Sequence, residues 1–135
     1  MIVVDINVIA YFLIEGEPTA DAEKVYDADS EWVAPLLWRS EMRSLLALYV
    51  RRTIMSATET FGPMSRAEGL LAGREYDVES HRVLELAHSS GCTAYDCEFI
   101  YVAERLNVPL VTSDKKLLAA FPSIAVSMAD FAEHT

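Results

Sequence analysis

The N-terminal stretch from Ile2 to Asp5 constrains the fold most, because it is apolar without alternation and stops at a carboxylate. Strands that are covered on both faces of a sheet have this pattern. Asn7 follows shortly afterwards and can cap a helix that begins near Val8. The stretch therefore predicts a buried strand that leads directly into a helix.

The same succession of strand and helix is predicted along the whole chain. Further strands are expected at residues 32–34, 76–78, 110–112 and 124–126. Helices are expected at residues 8–14, 36–52, 79–90, 93–106 and 115–121, with another helix capped by Thr19 and a helical tendency over residues 56–73 that Gly62-Pro63 should kink or split. This alternation favours a parallel sheet wrapped on both sides by right-handed crossovers. A chain of 135 residues has room for one core, so residues 1–135 are predicted to form a single α/β domain.

One predicted helix carries a carboxylate on its apolar face. In the helix at residues 36–52, three leucines (Leu37, Leu45 and Leu48) line one side, and Glu41 falls on that side. Burial of an unpaired charge costs several kcal/mol, so Glu41 must be protonated, paired, bound to a metal or placed at the open end of the helix.

Four carboxylates are expected at one edge of the sheet. Asp5 and Asp114 follow strands, whereas Glu41 and Asp96 lie in the early turns of helices. Helix starts and strand ends share an edge in a parallel α/β sheet, and such folds bind ligands there. Oxygen ligands without a nearby His or Cys select a hard cation, so the group predicts a Mg²⁺ or Mn²⁺ site. An ion at this edge can activate water for in-line attack on a phosphodiester, which predicts a 5′-phosphate and a 3′-hydroxyl on the products.

Each carboxylate also has a plain structural explanation, which stays open at this point. Asp5 can simply end a strand, and Asp96 can complete a capping box with Thr93. Asp114 can favour a helix N-terminus, and Glu41 can pair with an arginine. The convergence of all four on one edge is what favours the metal site.

Charge and composition narrow the classes of function. The net charge of −10, from 21 acidic and 11 basic residues, opposes simple binding to a phosphate backbone. This net charge is compatible with an enzyme that binds the substrate phosphate through a cation and a local basic patch.

No apolar stretch approaches the ~20 residues that span a bilayer and no basic leader precedes the first strand, so a cytoplasmic protein without membrane contact is expected. Cys92 and Cys97 are too few for a disulfide framework and fit a reducing compartment.

Four motifs, in chain order, resemble the signature of PIN-domain ribonucleases: Asp5-Ile6-Asn7-Val8, Ser40-Glu41, Thr93-Ala94-Tyr95-Asp96 and Thr112-Ser113-Asp114. Each motif alone is weakly specific, but the ordered set spans essentially the whole chain and is most similar to the VapC-type toxins of VapBC toxin-antitoxin systems. The resemblance implies a three-layer fold with a central, mainly parallel five-stranded sheet. It also implies a Mg²⁺- or Mn²⁺-dependent endoribonuclease, a homodimer and a small VapB-type antitoxin as partner.

The resemblance also implies roles for individual residues. The catalytic and metal-binding residues would be Asp5, Glu41, Asp96 and Asp114. Hydrogen bonds from Asn7 and Thr112 would support them.

Basic residues near the carboxylates are candidates for contacts with RNA phosphates. Arg39 and Arg43 lie one helical turn apart beside Glu41. Lys115 and Lys116 follow Asp114, and Lys115 is the better candidate because it is the direct neighbour of Asp114. Ordinary surface salt bridges are the alternative for these residues.

Aromatic residues offer a second way to hold RNA. Trp32, Trp38 and Tyr95 could stack on unpaired bases. Core or dimer packing is the more ordinary role of such side chains.

Other functions fit the pattern less well. A zinc site of His81, His88, Cys92 and Cys97 matches no usual ligand spacing. Haloacid-dehalogenase domains usually carry a second Asp where this chain has Asn7, and a receiver domain needs a mid-chain acceptor Asp that the sequence lacks. A PIN-like RNA-processing nuclease without an antitoxin, or a non-catalytic PIN-like module that binds partners, stays open.

Overall fold

The computed structural model describes residues 1–134 of the chain. The strands in that range are β1 (Ile2–Val4), β2 (Trp32–Pro35), β3 (Glu75–Tyr76), β4 (Leu110–Val111) and β5 (Ala125–Val126). The α-helices are α1 (Ile6–Leu13), α2 (Thr19–Ala28), α3 (Trp38–Arg51), α4 (Phe61–Leu70), α5 (Ser80–Ser90), α6 (Ala94–Leu106), α7 (Lys115–Ala120) and α8 (Met128–Glu133). The order of elements agrees with the alternation predicted from the sequence.

The five strands form one parallel sheet in the order β3-β2-β1-β4-β5. All residues of the central strand β1 are buried, which explains why its sequence is apolar without alternation. Val3 pairs with Val33 of β2 and with Leu110 of β4, so these three strands end at the same edge. The predicted five-stranded, mainly parallel sheet is confirmed.

Helices pack around the sheet in a three-layer α/β arrangement. α6 lies on β1, β2 and β4, and α5 packs against α6. α1 contacts α2, α3 and α4, while α2 also contacts α8. The largest side chains of the core are Trp32 and Trp38, both fully buried. Across residues 1–134, none of the helices has the length and apolar character needed to cross a bilayer.

Two helix caps differ from the prediction. Asp5, not Asn7, is the N-cap of α1, because its Oδ1 accepts the backbone N–H of Val8 at 3.0 Å. Thr19 is the first residue of α2 rather than its cap, and its hydroxyl donates to the carbonyl of Tyr11 at 2.7 Å. Several polar residues near a helix start can serve as caps, and the sequence alone does not choose between them.

The buried face of α3 is shifted by one residue from the predicted one. Trp38, Met42 and Leu46 are buried, whereas the three predicted leucines are only half-buried. The indole N–H of Trp38 donates to Oε2 of Glu75 at 2.7 Å, which lets a residue with a polar atom occupy the core. Glu41 therefore lies beside the buried face rather than at its centre.

Gly62-Pro63 lies in the first turn of α4 instead of interrupting a longer helix. A 3₁₀ turn at Thr58–Thr60 precedes α4, and Pro63 lies in the first turn of that helix. The missing N–H of Pro63 is not needed there, because the first N–H groups of a helix have no partner within the helix. The segment is divided, as expected, but the division falls before the Gly-Pro pair.

Candidate active site

Asp5 and Thr112 meet because β1 and β4 are neighbouring parallel strands. Val4 pairs with Val111, so the next residue of each strand leaves the sheet beside the other. The hydroxyl of Thr112 donates to Oδ2 of Asp5. Both residues are buried. Together with the bond from Val8, this contact fixes the carboxylate of Asp5 in one orientation at the sheet edge.

Asp114 begins α7 at the same edge. Its Oδ1 accepts the N–H groups of Lys116 at 2.8 Å and Leu117 at 3.2 Å. Its own N–H donates to Oγ1 of Thr112 at 3.0 Å. Thr112 therefore joins the two carboxylates that follow strands, Asp5 and Asp114.

Glu41 and Asp96 come from the first turns of two helices, α3 and α6. Thr93 is the N-cap of α6, and its hydroxyl oxygen accepts the N–H of Asp96 at 3.0 Å. α6 packs on β1 and β2 and leads into the start of β4, so its first turn lies at the edge where β1 ends. Both carboxylates are half-buried.

The pKa values show that the four carboxylates act on one another. Burial raises the pKa of Glu41 to about 7, and the charges of Asp96, Asp5 and Glu98 add to the rise. Burial also raises the pKa of Asp5, against hydrogen bonds that lower it, and Asp114 adds to the rise. The pKa of Asp96 is raised by burial and by Asp114. The edge of the sheet therefore holds more negative charge than its surroundings stabilise.

Glu41 has the atom that most clearly needs a partner. Its Oε1 is buried, and no donor in residues 1–134 forms a hydrogen bond with it. A proton or a cation would satisfy this oxygen, and carboxylate oxygens suit Mg²⁺ or Mn²⁺. In the rotamers of the described residues, no three acidic, His or Cys side chains are close enough to hold one ion. The donor set fits a hard cation, but its side chains would have to converge to bind it.

The comparison with protein families decides the class of this chain, because the PIN domain model matches residues 2–122 and so includes all four carboxylates. The chain belongs to the PIN-domain family. PIN domains are generally metal-dependent nucleases and typically use divalent ions such as Mg²⁺. The family resemblance inferred from the four motifs is confirmed at this level.

A solved structure supports the same fold. The crystal structure of PAE2754 from Pyrobaculum aerophilum matches with a TM-score of 0.78 and 20% sequence identity, over 98% of this chain and 94% of that chain. At this identity the likeness shows a common fold and nothing finer. No significant match was found among curated proteins.

Two charged residues outside the favoured site residues act on the carboxylates of this PIN domain, and only Glu98 was not among the candidates. Glu98 raises the pKa of Glu41, and Lys116 lowers the pKa of Asp96. Both lysines are exposed, and Lys115, which the sequence favoured, is not among the groups that shift the pKa of Asp96. One step along a helix turns the side chain by about 100°, so adjacency to Asp114 in sequence does not set direction.

The predicted arginines have other partners. Arg39 donates from Nε and Nη2 to the Glu75 carboxylate at 2.6 and 2.9 Å, and from Nη1 to Glu68 at 2.9 Å. Arg43 is exposed and borders an apolar cavity of about 450 Å³ between α3 and α4. Neither arginine is among the groups that shift the pKa of Glu41. For Arg39 the surface salt bridge is the arrangement observed.

Asn7 lies half-buried in the first turn of α1. Its side chain forms no hydrogen bond with another residue of the described chain, 1–134. Asn7 is therefore near Asp5 but does not hold it in the way that Thr112 does.

The residues of the zinc alternative are not brought together. His81 and His88 are exposed on α5, whereas Cys92 and Cys97 are buried free thiols. Over the part of the chain that the structure describes, they form no group able to hold a metal.

Proposed function

We propose that this PIN domain is a Mg²⁺- or Mn²⁺-dependent endoribonuclease whose ion is held by Asp5, Glu41, Asp96 and Asp114. The observation that carries the proposal is the buried Oε1 of Glu41, which has no hydrogen-bond donor. The charges of Asp96 and Asp5 also raise the pKa of this carboxyl group. Burial of such an atom is unfavourable unless a partner arrives. A cation would supply that partner and offset the repulsion within the group.

The residues of the site would have different roles, which depend on whether their side chains are already held by hydrogen bonds. When bound, the ion would lower the pKa of a coordinated water and offset the charge that builds up on the phosphodiester. Thr112 and Val8 hold Asp5 in place beforehand. Glu41, with a pKa of about 7, is partly protonated at neutral pH and would release its proton as the cation binds. The amide of Asn7 is proposed to support the same site by a hydrogen bond once the side chains converge.

RNA cleavage in Mn²⁺ tests this proposal. Asp5→Asn and Asp96→Asn should each lower the rate at least about 100-fold, because each removes a charged ligand that supports metal catalysis worth several kcal/mol. Asp27→Asn is the matched control, since Asp27 is an exposed carboxylate near the end of α2 that leads into β2, away from the site. Products should carry a 5′-phosphate and a 3′-hydroxyl.

Mn²⁺ binding gives a measurement that is independent of turnover. Titration calorimetry should detect an ion that binds wild type and the Asp27→Asn protein equally. The Asp5→Asn/Asp96→Asn double variant should not bind it. Equal binding by wild type and the double variant would refute the metal site.

The finer assignment is a VapC-type toxin that acts as a homodimer and is inhibited by a small antitoxin. The ordered set of four motifs supports this assignment. Expression of wild type, but not of Asp5→Asn, should arrest bacterial growth, and co-expression of the small protein encoded next to this gene should relieve the arrest. RNA cleavage without arrest would favour a PIN-like RNA-processing nuclease. Partner binding without cleavage would favour a non-catalytic module.

A further inference from the structure

Tyr95 is the aromatic residue of the predicted stacking set that the structure leaves accessible. Trp32 and Trp38 are fully buried, so neither can stack on a base. Tyr95 is 64% exposed. Its side chain forms no hydrogen bond or ring contact with the rest of residues 1–134. Both tryptophans are therefore core residues, which is the role that the sequence favoured for them, and Tyr95 is left as the candidate platform.

Position, rather than exposure, separates Tyr95 from other surface aromatic residues. Single exposed aromatic residues are common and need no ligand, and Phe61, at 66% exposure, is one of them. Tyr95 lies in the first turn of α6, at the sheet edge that carries the carboxylates. Phe61 instead lines the cavity between α3 and α4, together with Leu46 and Val50 from the second half of α3.

The negative charge of the protein means that RNA binding needs contacts other than those to phosphates, and base stacking is one such contact. A net charge of −10 repels a phosphate backbone over most of the surface, so binding cannot rest on widespread phosphate contacts. Base stacking on an aromatic ring does not depend on charge. Lys116 lies in the first turn of α7 at the same edge, where its backbone N–H donates to Oδ1 of Asp114 at 2.8 Å. One cation and one exposed ring therefore lie at the sheet edge that carries the carboxylates.

We propose that Tyr95 stacks on an unpaired base next to the phosphodiester that the site cleaves, while Lys116 binds a neighbouring phosphate. The substrate is then single-stranded RNA, or a loop, because a paired base cannot turn onto the ring. This inference rests on the proposed nuclease function. A second copy of the chain is a poorer occupant, because it would bring a second acidic edge toward the first.

Binding of a single-stranded RNA oligonucleotide, measured by fluorescence anisotropy in EDTA, tests the platform apart from catalysis. Tyr95→Ala should weaken binding about 5- to 100-fold, whereas Tyr95→Phe should stay within about twofold, since the ring is kept. Phe61→Ala, which removes an equally exposed aromatic ring, should change nothing. An RNA duplex of the same sequence should bind weakly and respond to neither variant.

An abasic series identifies the base. Removal of the base that stacks should weaken binding to wild type and leave binding to Tyr95→Ala unchanged, so the two losses should not add. Unchanged affinity of Tyr95→Ala, additive losses at every position, or no RNA binding by wild type would each overturn the proposal. So would a dimer that dissociates on Tyr95→Ala in ultracentrifugation, because Tyr95 would then belong to an interface between copies.

Failure of the nuclease proposal would look different. Wild type would then bind single-stranded RNA with the expected dependence on Tyr95 but would not cleave it in Mn²⁺. The opposite result, Mn²⁺-dependent cleavage with the same KM in wild type and Tyr95→Ala, would leave the nuclease standing and reject the stacking platform.

Discussion

The strand-end carboxylates, Asp5 and Asp114, are anchored, whereas the helix carboxylate Glu41 is not. Asp5 and Asp114 each accept backbone N–H groups and cap the helix that follows. Thr112 bonds to both of these residues. Glu41 has a buried oxygen without a donor and a pKa raised to about 7.

This difference shows that one acidic site contains two kinds of carboxylate. The anchored residues contribute to the fold as well as to the site, because helix caps and buried hydrogen bonds stabilise the native state. The unanchored Glu41 weakens the native state when it is ionised and is retained at a cost to stability. Truncation of an anchored carboxylate should therefore lower stability through lost hydrogen bonds, whereas neutralisation of Glu41 should remove a cost that exists only when Glu41 is ionised.

Asp5→Ala should have the largest effect on stability. It removes the cap of α1 and leaves the buried hydroxyl of Thr112 without its acceptor, which together should lower the free energy of unfolding by about 2–4 kcal/mol. Urea denaturation at pH 7 in EDTA measures the change. Asp5→Asn keeps an oxygen for the N–H of Val8 and should lose clearly less. If Asp5→Ala left the free energy of unfolding unchanged, Asp5 would not be anchored in the way that the contacts indicate.

Burial raises the pKa values of Asp5 and Asp96 as well, so the contribution of Glu41 to the pH dependence of stability is the part that a substitution of Glu41 removes. The pKa of Glu41 is about 7 in the folded protein against 4.5 in the unfolded chain, so the folded state holds the proton more tightly. The stabilisation is complete below pH 4.5 and is lost as pH rises through about 7. After allowance for solvent screening of a half-buried group, the loss should be about 1–2 kcal/mol.

Glu41→Gln provides the control for this pH dependence. Urea denaturation between pH 5 and pH 8 in EDTA should show a steeper decline of stability for wild type than for the variant, which cannot ionise at this position. Mn²⁺ should flatten the wild-type profile, because the cation favours the ionised form. Parallel profiles for both proteins would show that Glu41 is already satisfied in solution and would remove the distinction between the two kinds of carboxylate.

The sequence predicted the sheet and the edge that carries the site because both follow from local patterns. β1 and β4 are apolar runs, and Asp5 and Asp114 directly follow a strand and precede a helix, so their edge is set by chain direction alone. The family followed from motifs that keep their order along the chain. The VapC-type assignment, the antitoxin and the homodimer stay predictions.

What the sequence did not predict depends on side-chain direction. Lys116 rather than Lys115 acts on Asp96, and Trp38 rather than Leu37 begins the buried face of α3. Each pair differs by one residue on a helix, which is enough to turn a side chain from one side to another. The hydrogen bond from Thr112 to Asp5 was expected from the family resemblance alone, because it requires the register of β1 and β4, which no local pattern contains.

The smallest difference in stability is expected between the variants Asp114→Ala and Asp96→Asn. Asp114 caps α7 through two N–H groups and is only half-buried, so its loss should cost about 1 kcal/mol, confined largely to that short helix. Asp96 has its pKa raised by burial, so its neutral isostere should change stability by no more than about 0.5 kcal/mol, in the stabilising direction at pH 7. Hydrogen exchange at Lys116 and Leu117 should quicken in Asp114→Ala and stay unchanged in Asp96→Asn. Faster exchange in both variants would mean that the helix carboxylates also support the edge of the sheet, and the division into anchored and unanchored groups would then hold for Glu41 alone.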